Sequence, residues 1–123
     1  MPIRFRSRRA VLAGGLALAL SPRPGEAHAI LEASQPNAGD SVRAGPIALK
    51  LRFNSRIDRA RSRLTLTRPD QSKTDLAIDP DGPPDILTST ATLTPGAYVV
   101  RWQVLAVDGH ITRGDVPFTV TEN

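Results

Sequence analysis

The sequence contains two histidines, His28 and His110, and the second belongs to the segment Asp108-Gly109-His110. A carboxylate oxygen and an imidazole nitrogen suit a borderline divalent metal such as copper or zinc. Two protein ligands are too few for a tight site, so further ligands must come from elsewhere in the chain. The segment also has a purely structural interpretation, because Asp-Gly between apolar runs favours a tight hairpin turn. The residues alone leave both interpretations open.

His28 follows a segment that has the features of a removable secretion signal. Residues 1–9 carry four arginines and no acid, residues 11–20 form an apolar run, and small residues lie at the end of the segment. This order is typical of a signal peptide, and the apolar run is shorter than the about 20 residues of a membrane-spanning helix. Two adjacent arginines before the apolar run also resemble a twin-arginine export signal. We therefore predict a cleavable signal peptide over residues 1–27 or residues 1–29.

The position of cleavage decides whether His28 can bind a metal through its backbone. Cleavage after Ala27 makes His28 the first residue, whereas cleavage after Ala29 satisfies the same small-residue rule and removes it. A terminal histidine offers its ring nitrogen and its α-amine, and a metal can displace the amine proton at neutral pH. With Asp108 and His110 the donors become three nitrogens and one oxygen, and such donors in a tetragonal plane favour Cu(II). Sequence rules do not choose between the two cleavage positions.

Loss of the predicted signal peptide changes the charge of the chain. The sequence carries 16 basic and 12 acidic side chains, of which 11 of each sign lie in residues 28–123. A neutral mature chain gives no electrostatic argument for binding nucleic acid. An arginine-rich stretch from Arg52 to Arg68 still precedes an aspartate-rich stretch from Asp70 to Asp85. These stretches are interpreted either as a solvated surface or as a docking patch for an acidic partner.

The pattern of residues 28–123 predicts one small all-β domain. Turn-forming residues recur at short intervals, and apolar and polar residues alternate between them in IALKLRF, RLTLT and AYVVRWQVLAV. Such alternation is typical of half-buried strands. We predict an immunoglobulin-like antiparallel β-sandwich of about seven strands, without a disulfide because the chain has no cysteine. The last strand is expected around residues 116–121, and residues 56–63 are the one stretch that could hold a helical turn. The residues expected to face the core include Ile47, Leu49, Leu51, Phe53, Leu64, Leu66, Tyr98, Val100, Trp102 and Val104.

Three segments, in order from His28 to Glu122, resemble one protein family. HAILEASQPNAGDSV has a histidine, a strand and then S-x-P-x-x-G, and IALKLRFNSRID is an alternating strand that ends in Phe and a small polar residue. LTPGAYVVRWQVLAVDGHITRGDVPFTV follows the pattern P-G-x-Y-x-V-x-W-x-V-x-S-x-D-G-H-x-x-x-G-x-x-x-F-x-V at all but its serine. At this spacing the segments resemble the CopC family of periplasmic copper-binding, copper-resistance proteins.

The resemblance implies a periplasmic domain over residues 28–123 and cleavage directly before His28. It implies one Cu(II) per chain, bound by the amine and ring of His28 together with Asp108 and His110. The function implied is copper homeostasis or resistance by binding, without enzymatic turnover. Relatives often work with an inner-membrane protein of the CopD type, for which the arginine-rich stretch is a candidate docking face. We expect the protein to be a monomer.

Three features depart from the pattern of the family. Well-known members hold Cu(I) in a methionine-rich loop, whereas the only methionine here is Met1, so we expect no thioether ligand. Many relatives have an acidic residue after the Phe of the second strand, but this chain has Asn54-Ser55-Arg56, and we assign no ligand there. The usual serine before Asp-Gly-His is Ala106, so a hydrogen bond from that serine to a ligand is absent or supplied otherwise.

Two other functional classes are considered. An N-terminal histidine with a second histidine also forms the copper brace of oxidative polysaccharide monooxygenases. Those enzymes need an open coordination position and a broad substrate surface, and only Tyr98 and Trp102 are candidates for stacking against a sugar here. A metal-free sandwich that acts as a structural or adhesion module would use Asp108-Gly109-His110 only as a turn.

Overall fold

The computed structural model describes residues 29–122, and this part of the chain forms eight β-strands. They are β1 (Leu31–Gln35), β2 (Ser41–Arg43), β3 (Gly45–Phe53), β4 (Ile57–Thr67), β5 (Lys73–Leu76), β6 (Ile86–Leu93), β7 (Gly96–Ala106) and β8 (Ile111–Thr121). The all-β class is confirmed, with one strand more than predicted. The predicted signal peptide and His28 lie outside the described residues. None of the elements from Ala29 to Glu122 is a helix long and apolar enough to cross a membrane.

The strands form the two facing sheets of a sandwich. One sheet has the order β1-β3-β6, and the other has the order β2-β8-β7-β4-β5. The pairs within both sheets are antiparallel, except that the short β2 runs parallel to β8. The predicted immunoglobulin-like sandwich is therefore confirmed, with a second sheet that is mixed because of β2.

The core consists of the residues that the alternation predicted. The inward residues of β3 are buried, whereas Lys50 and Arg52 between them are exposed. The inward residues of β7 are buried in the same way. Phe53 from one sheet meets Trp102 from the other edge to face, with ring centroids 5.2 Å apart. This aromatic contact joins the two sheets, since such pairs add to the stability that burial of apolar area provides.

β8 carries a glycine where the indole of Trp102 needs space. Gly114 lies opposite Trp102 in the β7–β8 pair. A Cβ added at Gly114 would overlap the indole ring of Trp102. Thr112 and Gly114 occupy inward positions at the start of β8, so this part of the strand lacks the apolar alternation of residues 116–121. Because the alternation is missing there, the sequence predicted the last strand only around residues 116–121, whereas β8 begins at Ile111.

Residues 56–63, the one stretch in which a helical turn was possible, form no helical turn, because β4 begins at Ile57. Between Asp58 and Arg63 the register of β4 against β7 shifts, and four residues of β4 lie against one residue of β7 in an irregular bulge. Ser62 Oγ donates a hydrogen bond of 2.7 Å to the carbonyl oxygen of Asp58 and closes the bulge. Residues inside a bulge leave the regular ladder, and their side chains no longer alternate between the faces. The sequence consequently loses its period of two there.

The arginine-rich stretch divides between the two sheets. Arg52 on β3 forms an ion pair of 2.6 Å with Glu32 on β1. Arg59 on β4 donates hydrogen bonds of 2.6 Å and 2.9 Å to the carbonyl oxygens of Pro83 and Ile86. Arg59 therefore holds the segment that leads into β6, and the stretch does not form one continuous row of exposed charges.

Candidate metal centre

A tight turn between β7 and β8 carries Asp108 and His110. The Gly109 amide donates to the carbonyl oxygen of Ala106, and the Ala106 amide donates to that of His110, each at 2.9 Å. Gly109 has a φ of 88°, which glycine adopts without a steric penalty. These contacts are those of a three-residue hairpin loop that ends in a left-handed glycine. The structural interpretation of Asp-Gly is confirmed, and the turn also fixes where the two polar side chains lie.

Asp108 contacts His110 through both of its carboxylate oxygens. The His110 amide donates a hydrogen bond of 3.0 Å to Oδ1. The other oxygen, Oδ2, lies 2.9 Å from Nδ1 of the His110 ring. The side chain of Asp108 is 19% exposed and that of His110 is 62% exposed. The first contact orients the carboxylate, and the second brings an oxygen and a nitrogen together beside open solvent.

The separation of these two atoms fits a metal centre as well as a hydrogen bond. Two ligand atoms that are each about 2.0–2.1 Å from a metal and at right angles to each other lie about 2.9 Å apart. Oδ2 of Asp108 and Nδ1 of His110 have this separation. Among residues 29–122 no group of three or more His, Cys, Asp or Glu side chains is placed to hold a metal ion. A metal on this pair therefore needs further donors from solvent or from another part of the chain.

The first described residues lie beside this turn. Ala29 is fully buried, and its carbonyl oxygen accepts a hydrogen bond of 2.8 Å from Thr112 Oγ1. The Ile30 amide donates a hydrogen bond of 2.8 Å to Asn54 Oδ1, and the Asn54 amide donates one of 3.0 Å to the carbonyl oxygen of Ile30. Thr112 is two residues from His110. The chain thus enters the sandwich at the end where the β7–β8 turn lies.

The structure brings together two of the three predicted ligands, Asp108 and His110. His28 lies outside the described residues, so its part in the site stays a prediction. Thr112 and Asn54, whose contacts hold the residues that follow His28, had no role assigned from the sequence. The sequence offers only two weak signals for them. One is a threonine at an inward position of a strand, and the other is an asparagine directly after an apolar strand.

The surface near the turn is aliphatic. The exposed large hydrophobic residues of the described chain are Ile30, Val107 and Ile111, each within two residues of a predicted ligand. Tyr98 and Trp102, by contrast, are 3% and 7% exposed. The two aromatic residues considered for stacking against a sugar are therefore core residues.

Comparison with known proteins identifies relatives of the whole sandwich. Residues 31–121 match the CopC domain family. Protein YobA of Escherichia coli K12 is 36% identical over 98 residues, which cover 76% of this chain and 79% of YobA. The structure of CopC from Methylosinus trichosporium OB3b matches with a TM-score of 0.72 and 32% identity, covering 78% of this chain and 96% of that protein. PcoC, a methionine-rich copper resistance protein from Escherichia coli, matches with a TM-score of 0.62 and 29% identity, covering 77% of this chain and 100% of PcoC.

The region that matches the family coincides with the folded domain. It starts at the first residue of β1 and ends at the last residue of β8, so it includes both sheets and the turn with Asp108 and His110. The sequence identity to YobA extends over three quarters of the chain, and the fold agrees with that of two solved relatives. The chain belongs to the CopC family.

Proposed function

We propose that this protein binds Cu(II) in the periplasm and serves copper homeostasis or resistance. One Cu(II) per chain is held by the α-amine and ring of His28, as the first residue of the mature protein, together with Asp108 and His110. The observation that carries the proposal is the 2.9 Å approach of Asp108 Oδ2 to His110 Nδ1. Membership of the CopC family and the likeness to PcoC, a copper resistance protein, support copper as the metal.

The burial of Ala29 supports cleavage after Ala27. Ala29 is fully buried and its carbonyl oxygen is bonded to Thr112. Cleavage after Ala29 would delete this core residue and its hydrogen bond, whereas cleavage after Ala27 retains both. Cleavage after Ala27 also leaves His28 bonded to the nitrogen of Ala29, and consecutive Cα atoms are about 3.8 Å apart. The terminal amine would then belong to the residue directly before Ala29, which Thr112 anchors near His110.

The donor set supports Cu(II) and gives no support for a Cu(I) site. Nitrogen donors and a carboxylate in a tetragonal plane suit Cu(II), whereas thioether sulfur selects Cu(I). PcoC is a methionine-rich copper resistance protein, whereas the only methionine of this chain is Met1, in the predicted signal peptide. The protein is therefore proposed to have a single Cu(II) site and no methionine site.

The exposure of the site supports binding and exchange of the metal. The side chain of His110 is 62% exposed, so a competing ligand can reach the site from solvent. The protein is proposed to act as a monomer that captures, buffers or delivers Cu(II), with an inner-membrane CopD-type protein as its candidate partner. The burial of Tyr98 and Trp102 weighs against oxidation of a polysaccharide on this surface.

The proposal is tested on exported, natively processed protein whose first residue is checked by intact mass. With one equivalent of Cu(II), electron paramagnetic resonance is expected to show a tetragonal centre with three nitrogen donors. The matched control is the same chain with one extra residue before His28, which keeps every side chain but displaces the terminal amine. Its Cu(II) affinity, measured by competition with a chelator, should be much lower. A mature chain that starts at Ile30, or equal affinity of the two forms, would contradict the proposal.

A further inference from the structure

We infer that Thr112 and Asn54 are positioning residues for the copper site. Together they form what we call the N-terminal clamp, which holds Ala29 and Ile30 in place. The clamp fixes the start of the mature chain so that the amine and ring of His28 are presented to Asp108 and His110. The inference rests on the proposed function, because it concerns how that site is held.

Thr112 ties the N-terminal segment to the strand that follows the β7–β8 turn. Its hydroxyl donates a hydrogen bond of 2.8 Å to the carbonyl oxygen of Ala29, across 83 positions of sequence. Thr112 pairs with Val104, which is fully buried, so the threonine side chain faces the interior where Ala29 lies. His110 therefore directly precedes the first residue of β8, and Thr112, which anchors the N-terminal segment, is the second residue of β8. The same short piece of backbone therefore positions both His110 and the segment that follows His28.

Asn54 holds both backbone polar groups of Ile30, the residue that follows Ala29. Its Oδ1 accepts a hydrogen bond from the Ile30 amide at 2.8 Å, and its own amide donates one of 3.0 Å to the carbonyl oxygen of Ile30. Leu31 pairs with Phe53 in the adjacent ladder, so the contacts of Asn54 extend the β1–β3 pairing by one residue. Ala29 is bonded to Thr112 in one sheet, and Ile30 is bonded to Asn54 at the end of a strand of the other sheet. The backbone of these two residues therefore has little freedom to move.

This arrangement matters for a chelate that begins at the chain terminus. The first residues of a domain are usually poorly ordered unless contacts tie them down. A ligand on a mobile terminus would lose its freedom only when the metal binds, and this loss would weaken binding. The N-terminal clamp orders the residues next to His28 during folding, before copper arrives. Removal of the clamp should thus weaken copper binding while every copper ligand is retained.

The first test uses Thr112→Val, which keeps the branched shape and removes the hydroxyl donor. Exported and natively processed protein should bind Cu(II) about tenfold more weakly, as is typical when a residue that supports a metal ligand is lost. Its electron paramagnetic resonance spectrum should show a less uniform set of nitrogen donors. Thr112→Ser keeps the donor and should restore affinity and spectrum. The matched control is Thr119→Val, an exposed threonine near the far end of β8, which should bind like the wild type.

A second test separates positioning from a general structural role. In the form with one extra residue before His28, the terminal amine no longer contributes, so Thr112→Val should weaken binding little further. A purely structural role would weaken copper binding by the same factor in both forms, and that result would overturn the inference. Asn54→Ala removes the side-chain acceptor of the Ile30 amide but keeps the backbone amide that donates to Ile30, and it should weaken binding in the same direction as Thr112→Val. Asn54→Asp keeps the acceptor. Wild-type affinity in both Thr112→Val and Asn54→Ala would also overturn it.

The outcomes distinguish this inference from the function on which it rests. If the wild type shows the terminal-amine signature and the clamp variants match it, only the N-terminal clamp is wrong. If the wild type itself binds no Cu(II) through its terminal amine, the proposed function is wrong and the clamp inference fails with it. Thermal melting of each metal-free variant shows whether a loss of affinity follows from a loss of folding.

Discussion

Asp108 uses its two oxygens for different purposes. Oδ1 accepts the His110 amide at 3.0 Å, and this contact belongs to the turn. Oδ2 lies 2.9 Å from the His110 ring and is the oxygen proposed to bind Cu(II). The positive φ of the turn is at Gly109, so residue 108 needs no left-handed conformation. A substitution that keeps one oxygen and removes the negative charge can therefore separate the turn from the metal site.

Asp108→Asn is expected to weaken Cu(II) binding by at least about tenfold, since even residues that only support a ligand typically cost that much. The asparagine oxygen still accepts the His110 amide, so the melting temperature of the metal-free protein should change little. Chelator competition measures the affinity and thermal unfolding measures the stability. Asp115→Asn is the control, because Asp115 is an exposed aspartate of β8 that pairs with Arg101. Loss of folding in Asp108→Asn would show that the residue is mainly structural.

At the scale of elements, β4 and β8 each depart from regular alternation for a reason visible in their contacts. The bulge of β4 lies beside Arg59, whose guanidinium group bonds to the carbonyl oxygens of Pro83 and Ile86. The start of β8 has Thr112 and Gly114 at inward positions, against Ala29 and Trp102. These features connect distant parts of the chain at the cost of local regularity.

Arg59→Met should destabilise the fold by about 1–2 kcal/mol, because two carbonyl oxygens near the start of β6 lose a charged donor. Arg61→Met is the matched control on the same strand. The Arg61 side chain is 74% exposed and pairs with Asp58, and exposed ion pairs contribute little. The midpoint of urea unfolding measures both variants. Equal midpoints would show that Arg59 does not hold the segment.

Gly114→Ala should destabilise the protein by about 1–3 kcal/mol, the usual cost of an extra methyl group in a packed interior. The new Cβ would overlap the indole of Trp102, and Gly114 has no positive φ that would strain an alanine. Thermal unfolding measures the effect. Combining Gly114→Ala with Trp102→Phe tests the cause, since the smaller ring leaves room for the methyl group. Additive effects of the two substitutions would contradict a direct clash.

At the scale of the whole molecule, the proposed site joins the two ends of the mature chain. His28 precedes β1, whereas Asp108 and His110 precede the last strand. The complete set of proposed ligands would be assembled only in the folded protein, apart from the weaker chelate of His28 alone. Metal binding and folding are therefore expected to be coupled, as for other sites that the unfolded chain does not preform.

Cu(II) should raise the unfolding temperature of the natively processed protein. When free Cu(II) exceeds its dissociation constant a hundredfold, a ligand that binds only the folded state stabilises it by about 2.7 kcal/mol. For a domain of this size that corresponds to a rise of roughly 10–20 °C. The rise should be reversed by a chelator and should be smaller in Asp108→Asn. An unfolding temperature that is independent of copper would contradict the coupling.

Much of the fold is predictable because alternation is a local property. Residues of β3 and β7 report their inward and outward faces through their own polarity, and the structure confirms these faces. The bulge in β4 was not predictable from local polarity. Its polar residues Ser62 and Arg59 contact Asp58 and the segment that leads into β6, and the second of these contacts exists only in the folded chain. The contact of Thr112 with Ala29 was also beyond sequence patterns, because a single threonine does not indicate which distant carbonyl it will meet.

The amino-acid sequence by itself determined the class of strands, the tight turn at Asp108-Gly109-His110 and the types of donor atom available to a metal. These depend on side-chain chemistry and on neighbours within a few positions. The tertiary structure alone decided that Ala29 is buried beside Thr112 and that β8 starts directly after His110. Such contacts arise because two sheets must cover each other's apolar faces, and only the packed sandwich brings positions more than 80 residues apart together.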